Sequence, residues 1–130
     1  LYNYLAFSKS SYPFVLQPYV ENFTDVRVII IGSHIESYIR QNPYNFRSNI
    51  AAGGSSSPFA LGTDGKNICH EVMTRGRFPY AHIDLLVMDS GEHYLSEITL
   101  NGGTSGAELS RQELDQKKQQ VLEDLIQKEQ

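Results

Sequence analysis

The sequence has no tryptophan, a single cysteine and no long apolar run, and each absence excludes a class of protein. One thiol, Cys69, cannot form an internal disulfide framework or a metal site made only of cysteines, and we expect it to be buried on a helix. No stretch approaches the roughly 20 apolar residues that span a bilayer. A net charge of -4 gives no electrostatic case for binding nucleic acid. We expect a cytoplasmic protein with neither a membrane nor a nucleic acid as partner.

The chain has 130 residues, enough for one modest domain with its own core. It begins at Leu1 rather than at a methionine. We therefore expect residues 1–130 to be a single domain that belongs to a longer protein.

The first half of the chain predicts one antiparallel hairpin. Two apolar-rich segments, 26–31 and 34–40, flank the dipeptide Gly32-Ser33. Glycine at the first position of a two-residue loop favours a type II′ turn. Residues 41–61 are rich in Asn, Gly, Ser and Pro and predict a loop.

The second half predicts helix, hairpin and helix. The first helix covers about 63–75, and strands at 82–88 and 93–99 follow. A second helix covers about 107–128, where apolar residues fall on one stripe. This order favours an α+β fold in which helices pack on one face of an antiparallel sheet. We expect Thr63 or Asp64 to cap the first helix, Ile68, Cys69 and Val72 to face inward from it, and Leu114, Val121, Leu122, Leu125 and Ile126 to form the stripe of the second.

The second hairpin carries the sharpest prediction, because its turn sets which residues oppose each other. If Ser90-Gly91 is a two-residue loop, Asp84 lies directly opposite Glu97 on the same face. The same count places Asp89 opposite Glu92, Met88 opposite His93 and Leu86 opposite Leu95.

Two opposed carboxylates repel each other on a covered face. Either one of them is protonated, or a cation lies between them. Oxygen ligands without Cys or His suit a hard ion, and Mg²⁺ typically uses one or two carboxylates together with substrate phosphates. Two other interpretations stay open: the acids lie near an exposed edge without a function, or they form an acid–base pair. The four histidines show no metal-binding spacing.

The first hairpin places charged residues on its other face. The count pairs Asp25 with Arg40 and Arg27 with Tyr38. Arg40 and Asp25 could form an ordinary cross-strand ion pair. Alternatively, arginines on rigid strands hold a phosphate through two parallel hydrogen bonds. The nearby Gly53-Gly54 could cradle an anion with backbone N–H groups, although no P-loop motif is present.

A series of motifs follows in order between about residues 13 and 106. They are Leu16-Gln17-Pro18-Tyr19-Val20, Asp25-Val26-Arg27-Val28, Ile39-Arg40, Phe46-Arg47-Ser48-Asn49-Ile50, Gly53-Gly54, Ile83-Asp84-Leu85-Leu86 and Leu95-Ser96-Glu97-Ile98. Taken together, these motifs resemble the ATP-grasp enzymes, and in particular the ribosomal-protein S6 glutamate ligase and glutathione synthetase group. The resemblance implies that the chain is the C-terminal half of an ATP-grasp domain.

The resemblance implies an ATP-dependent carboxylate–amine ligase that works through an acyl phosphate. ATP and Mg²⁺ (or Mn²⁺) would be its cofactors, and a small-molecule or peptide carboxylate and an amine acceptor its substrates. The alternative is a degenerate domain that keeps the shape as a binding or scaffold module without catalysis.

The resemblance also implies a role for individual residues. The hinge that reads adenine corresponds to Gln17, Pro18, Tyr19 and Val20, and the ribose-side acid to Asp25. Arg27 and Arg40 correspond to phosphate-side cations, and Arg47, Ser48 and Asn49 to a segment that reaches ATP or the acyl phosphate. The metal-binding acids correspond to Asp84 and Glu97.

Two departures from the family pattern limit the resemblance. The family usually has Asn two residues after the metal-binding Glu, where this chain has Thr99, so Thr99 or Asn101 would supply a third ligand. The family's Gly-rich, lysine-bearing small lobe has no counterpart in these residues, so we expect the chain alone not to be a competent enzyme. The long C-terminal helix would pack on that missing lobe or on a partner subunit, and a homo-oligomer stays open.

Overall fold

The computed structural model describes residues 20–41 and 54–129. The strands form one antiparallel sheet in the order β3-β2-β1-β4-β5. The expected α+β class with an antiparallel sheet is confirmed. Neither helix has the length and apolar composition needed to cross a membrane. The elements in chain order are β1 (Phe23–Ile31), β2 (His34–Gln41), β3 (Ser55–Pro58), α1 (Thr63–Gly76), β4 (Tyr80–Met88), β5 (His93–Thr99) and α2 (Arg111–Glu129).

The central strand β1 is buried on both of its faces, because the two helices cover opposite sides of the sheet. Val28 and Ile29 are adjacent in sequence and both are 0% exposed, and such continuous apolar runs are typical of strands covered on both sides. The expectation that both helices pack on one face is therefore wrong. On the α1 face, Cys69 of α1 packs with Val26, Val28, Ala81, Ile83 and Leu85; on the α2 face, Leu114 of α2 packs with Ile29, Ile31, Tyr38 and Leu109.

The first hairpin has the predicted register. Ile31 pairs with His34 and Asp25 pairs with Arg40. Gly32 has a φ of 58°, and the following Ser33 has no positive φ. This combination agrees with the type II′ turn that the Gly-Ser dipeptide favours.

The second hairpin turns one residue earlier than predicted. The Met88 N–H donates to the Glu92 carbonyl (2.8 Å) and the Gly91 N–H donates to the Met88 carbonyl (2.9 Å), so the loop is Asp89-Ser90-Gly91. Gly91 has a φ of 90°, as in three-residue hairpin loops that end in a left-handed residue. The predicted pairs Asp89–Glu92, Met88–His93 and Leu86–Leu95 are therefore wrong; His93 pairs with Val87, Tyr94 with Leu86 and Leu95 with Leu85.

A bulge in β5 restores the register before the two acids are reached. Leu85 pairs with Leu95 but the next residue, Asp84, pairs with Glu97, so Ser96 is left as the extra residue. A β-bulge inserts one residue in this way. The predicted opposition of Asp84 and Glu97 is therefore confirmed, although the turn that was expected to produce it is different.

Three element boundaries also differ from the prediction. Part of the expected loop forms the edge strand β3, where Pro58 is tolerated because edge strands need not donate every N–H. Gly62, not Thr63 or Asp64, is the N-cap of α1, and no side chain caps it. Helix α2 begins at Arg111 rather than near 107. Its start is fixed by a capping box in which Glu113 accepts hydrogen bonds from the Ser110 N–H (2.9 Å) and hydroxyl (2.6 Å).

The apolar stripe of α2 is only partly used by the sheet. Leu114 is 1% exposed and Val121 packs beside the Ile29 cluster. By contrast, Leu122, Leu125 and Ile126 are 41%, 44% and 60% exposed. Within the described residues, only the first half of the predicted stripe packs against the sheet.

Candidate functional site

A row of four side chains crosses the α2 face of the sheet. Register places Tyr38 beside Arg27, Arg27 beside Asp84, and Asp84 beside Glu97. Each comes from a different strand, and paired residues of antiparallel strands point to the same face. The sheet therefore brings a predicted phosphate-side cation into line with both predicted metal-binding acids.

Asp84 is at the centre of this row and is almost fully buried, with 6% of its side chain exposed. Arg27 donates two parallel hydrogen bonds to it, from Nε to Oδ1 and from Nη2 to Oδ2, both 2.8 Å long. Arg40, which lies one row further along, donates a third from Nη2 to Oδ2 at 2.8 Å. Fork-to-fork pairing of this kind is the strongest that arginine makes with a carboxylate.

Asp25 completes a group of four charged side chains, which we call the arginine–aspartate cluster (Asp25, Arg27, Arg40 and Asp84). Arg40 donates to Asp25 Oδ1 from Nε (3.0 Å) and from Nη2 (2.7 Å). The predicted cross-strand pair is thus present, and it is part of a larger network. Two arginines and two aspartates balance in formal charge, so the cluster stabilises itself without any bound ion.

The electrostatics of the cluster keep Asp84 ionised. Burial alone would raise the pKa of Asp84, but the hydrogen bonds and charges of Arg27 and Arg40 outweigh it and hold the pKa below its usual value. Burial likewise acts to lower the pKa of Arg27, and Asp84 more than offsets this, so the pKa is raised. Of the two responses predicted for opposed acids, protonation of Asp84 is therefore disfavoured, and the cation beside it is supplied by arginine.

Glu97 differs sharply from its neighbour. Its side chain is exposed on the edge strand β5, and nothing in the described part of the chain forms a hydrogen bond or ion pair with it. The predicted alternative that an acid lies near an exposed edge describes Glu97 but not Asp84. The row thus combines a free carboxylate, Glu97, with one that already accepts three hydrogen bonds, Asp84.

The candidates for a third ligand lie at the end of β5. Thr99 pairs with His82, and its Oγ1 accepts a hydrogen bond from the Asn101 N–H (3.2 Å). The Asn101 side chain accepts from Arg111 Nη2 at 3.3 Å. Both are near the row but are engaged with each other or with α2.

His82 and Gly102 were not singled out by sequence reasoning, and they fix the segment that follows β5. His82 is 1% exposed, and neither ring nitrogen has a hydrogen-bond partner in the part of the chain that the structure describes. Burial, together with the charges of Arg27 and Lys118, lowers its pKa to about 4, so the ring is neutral at pH 7. A Cβ on Gly102 would lie 2.5 Å from its Nδ1, so only glycine allows the chain to cross the ring so closely. This crossing brings the Gly103 carbonyl to 3.5 Å from Arg27 Nη1.

The acids of the row match the oxygen-only chemistry of a magnesium site only in part. The described residues hold no group of three or more His, Cys, Asp or Glu side chains that could bind a metal. Two carboxylates opposite each other nevertheless suffice for Mg²⁺ when substrate phosphates and water supply the remaining oxygens. Asp84 and Glu97 fit that role as half of a site.

Most of the residues predicted to contact the nucleotide lie outside the described part of the chain. Gln17, Pro18 and Tyr19, and the segment Arg47, Ser48 and Asn49, lie outside the described residues. Val20 is half-buried just before β1.

Comparison with known proteins identifies a family. A family model for the RimK-like ATP-grasp domain matches residues 7–123. Human N-acetylaspartylglutamate synthase A is 30% identical over 95 residues, which are 70% of this chain and 24% of that protein.

Two solved structures share the fold. One is a Chryseobacterium gregarium RiPP-associated ATP-grasp ligase in complex with ADP and a leader and core peptide, with a TM-score of 0.60 at 18% identity over 85% of this chain and 35% of that one. The other is the macrocyclase MdnC from Microcystis aeruginosa MRC bound with precursor peptide MdnA, with a TM-score of 0.52 at 17% identity over 75% of this chain and 28% of that one. The chain thus spans 24% to 35% of the length of these three proteins. At such low identity the two structures establish the fold alone, whereas the family match covers most of the sequence, and the chain belongs to the RimK-like ATP-grasp family.

Proposed function

We propose that the chain supplies the phosphate and metal side of the ATP site in a longer ATP-dependent carboxylate–amine ligase. In the reaction, a carboxylate oxygen attacks the γ-phosphorus of ATP, ADP leaves, and an acyl phosphate forms. An amine nitrogen then attacks the acyl carbon and phosphate leaves. The observation that carries the proposal is the row in which Arg27 and Asp84 lie beside the open carboxylate of Glu97.

The arginines are suited to the phosphate part of this role. Phosphoryl transfer depends mainly on positioning and on neutralising charge that spreads over phosphate oxygens. Arg27 and Arg40 place two planar guanidinium groups side by side on rigid strands. Such forks bind phosphate through paired hydrogen bonds.

Asp84 and Glu97 would hold Mg²⁺ or Mn²⁺, with Thr99 or Asn101 as the third protein ligand. When bound, the ion would neutralise charge on the phosphate oxygens. Asp84 is already ionised for this purpose, because its arginine partners keep its pKa low.

The remaining contacts are assigned from the family resemblance. Gln17, Pro18, Tyr19 and Val20 would read adenine through backbone groups, Asp25 would lie on the ribose side, and Arg47, Ser48 and Asn49 would reach ATP or the acyl phosphate. Because the chain spans only 24% to 35% of its relatives, the other lobe must come from the rest of the protein. We therefore expect no ATP turnover from residues 1–130 alone.

The substrates are narrowed only to a class. Among the similar proteins are a synthase named for the small dipeptide-like N-acetylaspartylglutamate and two enzymes solved with peptides. A small-molecule or peptide carboxylate with an amine acceptor agrees with all three. ATP as co-substrate fits a cytoplasmic site of action.

A second candidate function is a binding or scaffold domain without catalysis. Two observations favour it. Thr99 stands where the family usually has Asn, and the two arginines and two aspartates of the arginine–aspartate cluster balance one another in charge.

Magnesium-dependent ATP binding to the full-length protein distinguishes the two functions. Titration calorimetry of wild type, Asp84→Asn and Glu97→Gln with ATP and Mg²⁺ is the measurement. The ligase proposal expects binding by wild type, loss in both variants, and ADP release when acid and amine are supplied. Asp89→Asn is the matched control, because Asp89 is an exposed acid in the turn of the same hairpin. Absence of Mg²⁺–ATP binding in the folded wild-type protein would leave the scaffold function.

A further inference from the structure

The oxygens of Asp84 are unequally engaged. A carboxylate offers about four lone-pair positions, two on each oxygen. Arg27 uses one on Oδ1 and one on Oδ2, and Arg40 uses a second on Oδ2. Whatever else binds Asp84 must therefore use the remaining position on Oδ1 or take the one that Arg40 holds.

The two arginines are not equally tied to Asp84. Arg27 makes both of its short hydrogen bonds there, and its third contact is with the Gly103 carbonyl. Arg40 makes one contact with Asp84 and two with Asp25. Arg40 can release Asp84 and still keep a carboxylate partner, whereas Arg27 cannot.

We propose that Arg40 is an exchangeable partner of Asp84 that makes cation binding depend on phosphate binding. The inference rests on the proposed function. With no anion present, Arg40 occupies Oδ2 and places a positive charge beside the row, so a divalent cation alone binds weakly. When phosphate oxygens are bound, Arg40 turns to them while Asp25 holds its other side, and the position that Arg40 occupied on Oδ2 is released. Arg27 stays on Asp84 throughout and orients it.

This arrangement has a functional consequence. A site that bound free Mg²⁺ tightly would be filled by the ion before nucleotide arrives. A site that bound free phosphate tightly would hold it without the ion that neutralises the phosphate charge. Coupling through Arg40 favours the binding of Mg²⁺ and phosphate together. Thermodynamic linkage requires the coupling to be reciprocal, with factors of roughly 5 to 150 in typical systems.

The test is the binding of Mn²⁺ to the full-length protein in the absence of nucleotide. Binding is measured as the loss of the electron paramagnetic resonance signal of the free ion. We expect Arg40→Gln to bind Mn²⁺ about tenfold tighter than wild type or more, within the usual range of such couplings. Adding Glu97→Gln to that variant should abolish the gain, because it removes the open carboxylate of the same site. Arg75→Gln is the matched control, since Arg75 is exposed and pairs with Glu71 on α1, and it should leave Mn²⁺ binding unchanged.

If Arg40→Gln fails to fold, Arg40→Lys serves, because lysine cannot span two carboxylates. Lysine keeps the positive charge, so its Mn²⁺ binding should be tighter than that of wild type by a smaller factor than expected for Arg40→Gln. Equal Mn²⁺ affinity in wild type and the Arg40 variant would overturn the inference. If Mg²⁺–ATP binds wild type in that case, the proposed function still stands. If Mg²⁺–ATP does not bind wild type at all, the proposed function itself fails.

Discussion

Replacing Arg27 with methionine would remove the main partner of a buried carboxylate, and its cost can be worked out from the structure. The change deletes two hydrogen bonds of 2.8 Å to Asp84, whose side chain is 6% exposed. Breaking a buried ion pair from one side costs about 3–5 kcal/mol. Arg40 still contacts Asp84, so we expect the low end, about 3 kcal/mol.

The double variant tests whether this cost arises from the unpaired charge. Arg27→Met with Asp84→Leu removes both charges and fills the space with apolar groups, which is often close to neutral. We therefore expect the double variant to be more stable than the sum of the single losses predicts, with a coupling energy of at least about 2 kcal/mol.

The assay is native-state hydrogen exchange in the full-length protein, read at the backbone amides of β1 and β4 as urea is raised. Local opening free energies avoid the assumption that a multidomain protein unfolds in one step. The control is the cycle on Arg75 and Glu71, an exposed pair with 80% and 60% of the side chains accessible, for which we expect less than about 1 kcal/mol. A coupling between Arg27 and Asp84 no larger than that of the control pair would refute the reasoning.

The remaining predictions concern residues around the site. The pKa of His82 is about 4 in the folded protein and about 6.5 in the unfolded chain. The neutral ring therefore contributes its full stability above pH 6.5, and the free energy of unfolding should fall by about 3 kcal/mol as the pH drops toward 4. His82→Phe should remove this pH dependence in denaturation measured at several pH values, and an unchanged dependence would contradict the prediction. The ionisation of Asp84 affects stability at a lower pH than that of His82. Because the pKa of Asp84 is lowered in the folded protein, the stability that its charged form contributes is lost as the pH falls through that lowered pKa. Gly102→Ala should destabilise the protein by about 1–3 kcal/mol, because the added Cβ would meet the His82 ring. Gly103→Ala is the control and should be nearly neutral, since its Cβ would have no described atom within 4 Å. Equal losses of stability in thermal denaturation would count against the close approach of Gly102 to the His82 ring. Deleting Ser96 should remove the bulge and leave the opposition of the two acids intact, so Mg²⁺–ATP affinity in calorimetry should not change, and its loss would show that the bulge has another role.

The pairing of the first hairpin could be predicted from the sequence, and the pairing of the central strands could not. The first hairpin is defined by adjacent segments and by Gly32, so its register follows from the chain itself. Arg27 and Asp84, by contrast, are 57 positions apart. The sequence signal for a central strand was the run of adjacent apolar residues such as Val28 and Ile29, which is typical of strands covered on both faces, and the sequence analysis did not use it.

That missing pairing explains why the interpretation of the two acids was incomplete. Considered as an isolated hairpin, Asp84 and Glu97 required a proton or a metal ion between them. The neighbouring strand supplies Arg27, and through it the whole arginine–aspartate cluster, so Asp84 is neutralised by the protein itself. The signal was present in the sequence as a second charged strand face, but nothing in the sequence stated that the two faces adjoin.

The opposition of Asp84 and Glu97 was predicted correctly from a turn that was predicted incorrectly, and the bulge in β5 explains why. Ile83 is fully buried on the α1 face, and Ile98 pairs with it. A one-residue slip would turn Ile98 to the other face and carry Glu97 with it to the α1 face. The three-residue turn imposes such a slip, and the bulge at Ser96 removes it before these residues are reached. The extra residue in the turn is therefore offset by the extra residue Ser96 in β5, which leaves Glu97 opposite Asp84.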